Sequence, residues 1–430
     1  MRSLAAVRER GLIIETLAAG LVALVAVHLL LLHTYWDYSE GVYALTAEML
    51  LHGGDLYGRI VGAQPPGVFL TGAALLAIHD SVEWLRFGVG CLQLAAGLIA
   101  ARIVYRITRN RVATVLTPAG MLLTPWALHE HGALTPEMVA LPVMLGAALL
   151  AGRRESAGPA GALAAVLVLI KLPLAIPAAA IVWAAAGRRR AAAWAGVTLA
   201  VGLLAVTLAA GSGFWRDVVI AQLHSGSRSL GELKGFWAQA GWNVLGLLLC
   251  SALAFRLRTA AHDRRLLVIL LALAGANLVT FLSNVKLGTG LNITVPVEAS
   301  LVPLAACGTV FAFRCVAPRW PAVLCTLALT FTLAQSVSLI ASPHNPVPFL
   351  RAFSAPAWEI TLTGPQFLAA VAAARACPPG EAYGGPPLVA LAAHRALPAG
   401  QPDEFLPSHS STLAAVEAQI VAVKRVCEGG

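Results

Sequence analysis

The sequence predicts an all-α polytopic membrane protein with about 11 transmembrane helices and a small C-terminal soluble domain of α/β or α type. Hydrophobic residues make up 58% of the chain and charged residues only 12%. Long Leu, Ala and Val runs recur without the alternation typical of strands. Because only helices and closed barrels satisfy their backbone hydrogen bonds in lipid, these runs are predicted to be membrane helices.

The apolar runs recur up to residue 341, and the composition changes after that point. They cover residues 12–34, 67–79, 86–105, 112–128, 136–151, 160–186, 191–211, 241–256, 266–283, 297–313 and 320–341. The first run is too long for a cleavable signal peptide, so we predict an uncleaved first helix. Pro-rich and Gly-rich breaks interrupt residues 343–430. We therefore predict a transmembrane domain at 1–342 and a soluble domain at 343–430.

Clusters of Arg predict the orientation of the helices, because loops rich in Arg and Lys stay on the cytoplasmic side. The clusters are Arg102 to Arg111, Arg153 with Arg154, Arg188 to Arg190, Arg256 to Arg265, and Arg314 with Arg319. The Arg-poor segments 35–65, 129–135, 212–240 and 284–296 are then predicted to face outward, as is the C-terminal domain. The net charge of +9 reflects this Arg distribution and does not indicate nucleic-acid binding.

Two apolar runs need special treatment under this topology. Run 160–186 has cytoplasmic Arg on both sides, so we predict a hairpin of two half-helices that turns at Lys171-Leu172-Pro173. Between the outward segment 35–65 and the cytoplasmic cluster that begins at Arg102, the chain must cross the membrane an odd number of times. Two apolar runs, 67–79 and 86–105, lie between them. Either the short run 67–79 is re-entrant or half-spanning, or the Arg102 cluster lies outside.

The first outward segment contains three of the 21 acidic residues of the chain, Asp37, Glu40 and Asp55. Carboxylates at a membrane boundary are costly and indicate a functional site. Asp37 and Glu40 are spaced i, i+3, so a helical turn would place both on one face. An alternative is that these acids only complement the dipole of a helix N-terminus.

The order of motifs in this segment resembles the lipid-dependent C-type glycosyltransferase superfamily (GT-C), especially bacterial relatives of protein O-mannosyltransferases and the lipid-A aminoarabinose transferase. The matching features are Glu40-Gly41, the Gly-x-x-x-Tyr turn ending at Tyr57, and Pro65-Pro66. The resemblance implies an inverting transferase that moves a hexosyl or pentosyl group from a polyprenyl-phosphate donor to a glycan, lipid or protein acceptor. It implies that Asp37 or Glu40 is the general base, with Asp37 placed ahead of Glu40.

The resemblance extends to residues that would hold the substrates. It implies a donor-phosphate contact from Lys171 and substrate contacts from Tyr57, Gln64, Glu137 and Asn292. Lys286, in a loop with flanking glycines, and Arg228, in the 212–240 segment, are further candidates for the donor phosphate. Lys171 matches a Lys-x-Pro motif and Glu137 matches an acid after Thr-Pro, whereas Gln64 stands where some relatives have Lys. The alternatives are a snorkelling lysine at 171, a helix-capping charge at 137, and ordinary solvated loops around 228 and 286.

No cofactor is expected. His129 and His131 invite a metal interpretation, but their i, i+2 spacing differs from the i, i+4 pairs of helical zinc sites. The sequence therefore does not support a divalent metal site at these histidines. The implied location is the cytoplasmic membrane, with the active site and the C-terminal domain outside and membrane lipids as neighbours. A transporter or flippase of lipid-linked glycans, and a polysaccharide polymerase or ligase, remain alternative functions.

The cysteine positions predict one disulfide. Cys377 and Cys427 are the two cysteines of the predicted outer domain, where an oxidising compartment favours pairing. Such a bridge would contribute about 3–4 kcal/mol through loop entropy. The other five cysteines are predicted to be reduced, and they are Cys91, Cys250, Cys307, Cys315 and Cys325.

Overall fold

The computed structural model describes residues 2–31, 38–256, 258–286, 290–314, 319–341, 362, 364–423 and 426–427. The predicted base Asp37, the thiol of Cys315 and the predicted domain boundary at 342 lie outside the described residues. The part of the chain described is mostly helical, as predicted.

The long helices form one bundle and account for most of the predicted apolar runs. The helices up to residue 341 are α1 (Arg2–Leu31), α2 (Tyr38–Leu51), α3 (Gly67–Leu76), α4 (Val82–Thr108), α5 (Arg111–Leu123), α6 (Pro125–His129), α7 (Pro136–Ala151), α8 (Ala157–Ile170), α9 (Ala175–Ala184), α10 (Arg188–Ala210), α11 (Ser212–Trp215), α12 (Ala221–Leu223), α13 (Leu230–Arg256), α14 (Arg264–Leu282), α15 (Val295–Arg314) and α16 (Trp320–Ala341).

Large apolar side chains on the outside of the bundle identify the chain as a multi-pass membrane protein. Helix α10 buries only Ala191 and exposes Trp194, Val201 and Leu208, which is stable only against lipid. Six described helices are long and apolar enough to cross a membrane, or up to seven if the bent pair within 230–256 is one span. The predicted count of about 11 is not confirmed, because several of the apolar runs form helices shorter than 18 residues.

The Arg clusters predicted to share one side of the membrane do meet at one end of the bundle, which we call the Arg-rich end. Arg106 donates to Asp263 Oδ2 at 2.6 Å, and Arg314 donates to the carbonyl of Thr108 at 2.7 Å. Further contacts at this end join Arg102 to Glu9, Arg111 to Glu15, Arg265 to the carbonyl of Ala185, and the amide of Ala186 to the carbonyl of Ala151.

Helices α8 and α9 form the predicted hairpin. Gly187, just after α9, lies against Ala157 at the start of α8, so both outer ends of the hairpin reach the Arg-rich end. The turn at Lys171 therefore lies at the opposite end of the bundle. Pro173 has no amide N–H and stands in a short 3-10 turn, Leu172–Leu174, which separates the two helices.

Helix α3, the run whose crossing was in question, is a short apolar helix. Its first residue, Gly67, contacts Leu169 and Ile170 at the hairpin turn, and Gly72 contacts Ala47 and Leu134. These neighbours all lie at the end opposite the Arg clusters. With 10 residues, α3 is about 15 Å long and does not reach across a hydrocarbon core of about 30 Å. Of the two apolar runs before the first Arg cluster, only α4 is long and apolar enough to cross a membrane.

The C-terminal unit, residues 364–427, packs on the end of the bundle opposite the Arg clusters. It contains α17 (Gly364–Ala376), β1 (Ala382–Tyr383), α18 (Pro387–Ala393), α19 (Phe405–His409), α20 (Ala414–Val421) and β2 (Val426–Cys427). The two strands pair in parallel, with Ala382 opposite Val426 and Tyr383 opposite Cys427. A disulfide joins Cys377 to Cys427, whose Cα atoms are 5.9 Å apart.

Two contacts fasten the C-terminal unit to the first outward segment. The Gln401 side chain accepts from the amide of Val61 at 3.1 Å and donates to the carbonyl of Arg59 at 2.6 Å. Leu406 packs with Val61 and Ala221 in a small apolar cluster. The loop at 55–65 is thereby held between the bundle and the C-terminal unit.

Candidate active site

A cavity of about 620 Å³ opens at the end of the bundle opposite the Arg clusters. Four residues singled out from the sequence line it, and they are Gln64, Lys171, Lys286 and Asn292. Its walls come from α2, the 55–65 loop, the turn of the α8–α9 hairpin, the segment around 218–227, and the loop before α15. Residues far apart in sequence thus converge on one concave, partly polar surface.

Lys171 and Glu137 form a buried ion pair beneath the cavity. Lys171 has an extended backbone at the break between α8 and its 3-10 turn, which frees its side chain from either helix. Glu137 stands in the first turn of α7, where Thr135 caps the helix by accepting from the amide of Met138. Glu137 is fully buried and Lys171 almost so. The anion that satisfies Lys171 in this structure is therefore a carboxylate.

Lys286 brings a second cation into the cavity. Its ammonium group donates to the side-chain oxygen of Gln222. The pKa of Lys286 is lowered to about 8, mainly by burial; the charge of Asp403 opposes this shift and the charge of Lys171 adds to it. Lys171 and Lys286 both line the same cavity. Together they make the cavity attractive to an anion.

The loops that carry Lys286 and Asn292 are held by backbone contacts. Ser227 pairs with Lys286 in an antiparallel bridge, and the amide of Arg228 donates to the carbonyl of Val285 at 2.8 Å. Asn292 is buried in a 3-10 turn, Leu291–Thr294, and its Oδ1 has no hydrogen-bond partner among the described residues. Such an unmatched acceptor is costly unless a ligand or water donates to it.

Glu40 accepts a bidentate ion pair from Arg86 instead of facing solvent. The Nε and Nη2 atoms of Arg86 each lie 2.7 Å from a Glu40 carboxylate oxygen, and both side chains are buried. A carboxylate bound in this way takes up a substrate proton only at the expense of a buried ion pair. Glu40 therefore supports the N-terminal turn of α2, directly after Asp37 in the sequence.

Tyr57 and Arg228 stand behind the cavity wall. The Tyr57 hydroxyl donates to the carbonyl of Gln64 at 2.7 Å, and its ring packs edge-on against Phe214. Its φ of 67° is unusual for a residue with a side chain and closes the tight turn of this loop. The Arg228 guanidinium lies over the ring of Phe236, 4.3 Å from its centroid. Neither side chain lines the cavity.

The second outward segment does not gather its histidines around one point. His129 contacts Glu130 at 2.9 Å, while His131 contacts the side chain of Gln93 at 3.0 Å. The two imidazoles thus have different partners.

The C-terminal unit contributes residues that were not predicted. The Tyr38 hydroxyl lies 3.5 Å from the carbonyl of Pro402, and Asp403 accepts from the amide of Leu406 at 3.0 Å. Burial raises the pKa of Asp403, and Lys286 lowers it in part. The only local signal for this role is an acidic pair in a Pro-rich stretch. Nothing in the sequence places that stretch beside the first outward segment.

Two solved structures of ArnT from Cupriavidus metallidurans are similar to the whole chain. The structure bound to undecaprenyl phosphate has a TM-score of 0.61 at 15% identity, covering 95% of this chain and 89% of ArnT. The apo structure has a TM-score of 0.58 at 17% identity, covering 98% and 90%. ArnT is the lipid A aminoarabinose transferase and has the GT-C fold. No protein-family model and no curated protein sequence matches the chain.

Proposed function

We propose that this chain, which has the GT-C fold, is an inverting glycosyltransferase that uses a polyprenyl-phosphate sugar donor on the outer face of the cytoplasmic membrane. The observation that carries the proposal is the cavity with two cations, buried Lys171 and half-buried Lys286, at the end opposite the Arg clusters. Ser39, two residues after Asp37, lines the same cavity. That the similar ArnT binds undecaprenyl phosphate supports a lipid phosphate as ligand.

The reaction requires one proton transfer and stabilisation of one leaving group. The acceptor oxygen attacks the anomeric carbon from the face opposite the phosphate while Asp37 takes the hydroxyl proton. The bond between the anomeric carbon and the phosphate oxygen breaks, and its electron pair leaves with the phosphate. Lys171 and Lys286 would stabilise the charge on that phosphate, so no general acid is needed there.

A flippase or transporter fits these residues less well. Such a protein needs polar groups along a path through the membrane. In the described residues, the ion pair of Glu137 with Lys171, the cation Lys286 and the acid Asp403 all belong to one end of the bundle. Because these charged residues lie at one end of the bundle and not along a path through it, they support a reaction at a membrane surface.

Deleting the gene should remove one glycan modification of the cell envelope and leave one polyprenyl-phosphate sugar to accumulate. Mass spectrometry of lipid-linked sugars and envelope glycans measures both changes. The wild-type chain should restore both pools, and an Asp37→Asn variant should restore neither. If both pools are unchanged in the deletion strain, the proposal is wrong.

Donor binding should weaken as the pH rises through about 8, because Lys286 loses its proton there. The lowered pKa means that the charged form is present below about 8, and only that form attracts a phosphate. We expect affinity for undecaprenyl phosphate, whose phosphate is fully ionised above about pH 7, to fall by up to about tenfold per pH unit above 8.

The control for this pH dependence is Lys286→Arg, which keeps a positive charge at every pH tested. Its binding curve should be flat between pH 7 and 9.5 even if its overall affinity differs. Binding measured by isothermal titration calorimetry decides the matter. A flat wild-type curve over the same range would exclude Lys286 from the phosphate site.

A further inference from the structure

Three side chains that bind metals come together where the C-terminal unit meets α2. They are Glu48 from α2, Asp80 from the loop between α3 and α4, and His394 at the end of α18. Their ligand atoms all lie within 4.8 Å of one another. We propose that these residues form a site for a divalent transition metal of the Zn²⁺ class that joins the C-terminal unit to the membrane domain.

The charges of the cluster call for a cation. Glu48 and Asp80 bring two carboxylates together, and among the described residues neither forms an ion pair with Lys or Arg. Among the described residues, Glu48 pairs with His52, whose Nδ1 lies 3.8 Å from Oε1 and which is charged only when protonated. Burial and the charge of Asp80 raise the pKa of Glu48, while His52 and His394 lower it. A bound dication would relieve the repulsion between both carboxylates at once.

The backbone of His394 is held in place by hydrogen bonds at the end of α18 and by the contacts of the next residue. It ends α18 in the left-handed conformation, with φ 53° and ψ 50°, and its amide donates to the carbonyls of Ala390 and Leu391. Glycine is the usual residue at such a helix end, because a residue with a side chain adopts the left-handed conformation at some cost. The following Arg395 donates to the carbonyls of Ala374 and Cys377, which fastens this corner to α17.

The donor set selects the class of metal. One imidazole nitrogen and two carboxylate oxygens suit Zn²⁺, which binds such atoms at about 2.0–2.2 Å and completes its tetrahedron with water. Ca²⁺ and Mg²⁺ take oxygen ligands almost alone. Tetrahedral ligands at these lengths stand about 3.4 Å apart. Asp80 and His394 are exposed and can rotate by the small amount needed.

The metal would act on the candidate active site through α2. That helix begins at Tyr38, directly after Asp37, and ends at Leu51, one turn after Glu48. The same C-terminal unit supplies Gln401 to the 55–65 loop and Asp403 to the neighbourhood of Lys286. Joining Glu48 to His394 would therefore fix the position of α2 relative to the C-terminal unit and the 55–65 loop. The metal site itself does not depend on the proposed glycosyl transfer.

Metal binding to the full, tag-free chain in detergent tests the proposal. Equilibrium dialysis against Zn²⁺, read by elemental mass spectrometry, should show one saturable equivalent per chain. The variants Glu48→Gln, Asp80→Asn and His394→Gln should each weaken binding by at least about tenfold. The controls Asp55→Asn and His409→Gln change exposed residues at the same end and should leave binding unchanged.

A second measurement guards against variants that do not fold. Saturating Zn²⁺ should raise the unfolding temperature of the wild type and of both control variants, but not that of His394→Gln. Because Asp80 and His394 are exposed, Asp80→Asn and His394→Gln should leave metal-free unfolding temperatures within error of the wild type. Absence of saturable Zn²⁺ binding, wild-type affinity in all three ligand variants, or tighter binding of Ca²⁺ than of Zn²⁺ would overturn the proposal.

Discussion

Replacing Asp37 by Asn is expected to lower the turnover of glycosyl transfer by about two to four orders of magnitude, the usual effect of losing a positioned base. Binding of undecaprenyl phosphate should stay at the wild-type level, because the two lysines that would hold it are unchanged. Turnover is measured with purified protein and a lipid-linked sugar donor. Asp55→Asn, the third acid of the same segment and exposed, is the matched control and should keep wild-type turnover.

Glu40 needs a different design, because its carboxylate is paired with buried Arg86. Glu40→Gln alone breaks this buried ion pair, at a cost of about 3–5 kcal/mol in folding stability. The double variant Glu40→Gln with Arg86→Gln removes both charges and should recover most of that stability and turnover. If the folded double variant is inactive while Asp37→Asn retains full turnover, the base is Glu40 and the assignment to Asp37 is wrong.

Replacing Lys171 by Met should reduce both stability and donor binding, because Lys171 is the partner of buried Glu137. Leaving that carboxylate unpaired costs about 3–5 kcal/mol. Adding Glu137→Gln removes the orphaned charge, so the double variant should regain stability. It should still bind undecaprenyl phosphate at least several-fold more weakly than the wild type, since a cation of the phosphate site is gone.

Thermal unfolding and binding calorimetry on the same preparations separate these two effects. Lys234→Met, which removes an exposed lysine of α13, is the control and should change neither quantity. Wild-type donor affinity in the stable double variant would show that Lys171 serves only to neutralise Glu137. Donor affinity lost in step with stability, and regained with it, would lead to the same conclusion.

Some of the candidate site could be predicted because it depends on local rules. An isolated lysine before a proline, within an apolar run flanked by Arg at both ends, has few placements in a membrane other than a hairpin turn. The same reasoning could not distinguish a contact to substrate from a contact within the protein. The structure places Lys171 at the predicted hairpin turn. Its partner there is Glu137, which the resemblance had implied to be a substrate contact.

The sequence by itself determined the class of the protein, which helix ends lie together and the place of the hairpin turn. These follow from hydrophobic run length, Arg placement and Pro, all of which act over a few residues or through the bilayer. Only the tertiary structure decided which buried charges pair and which segments close the cavity. Glu40 meets Arg86 and Gln401 meets Val61 across 46 and 340 positions, respectively. Such contacts depend on how helices pack in three dimensions, and a single sequence carries no local signal for that packing.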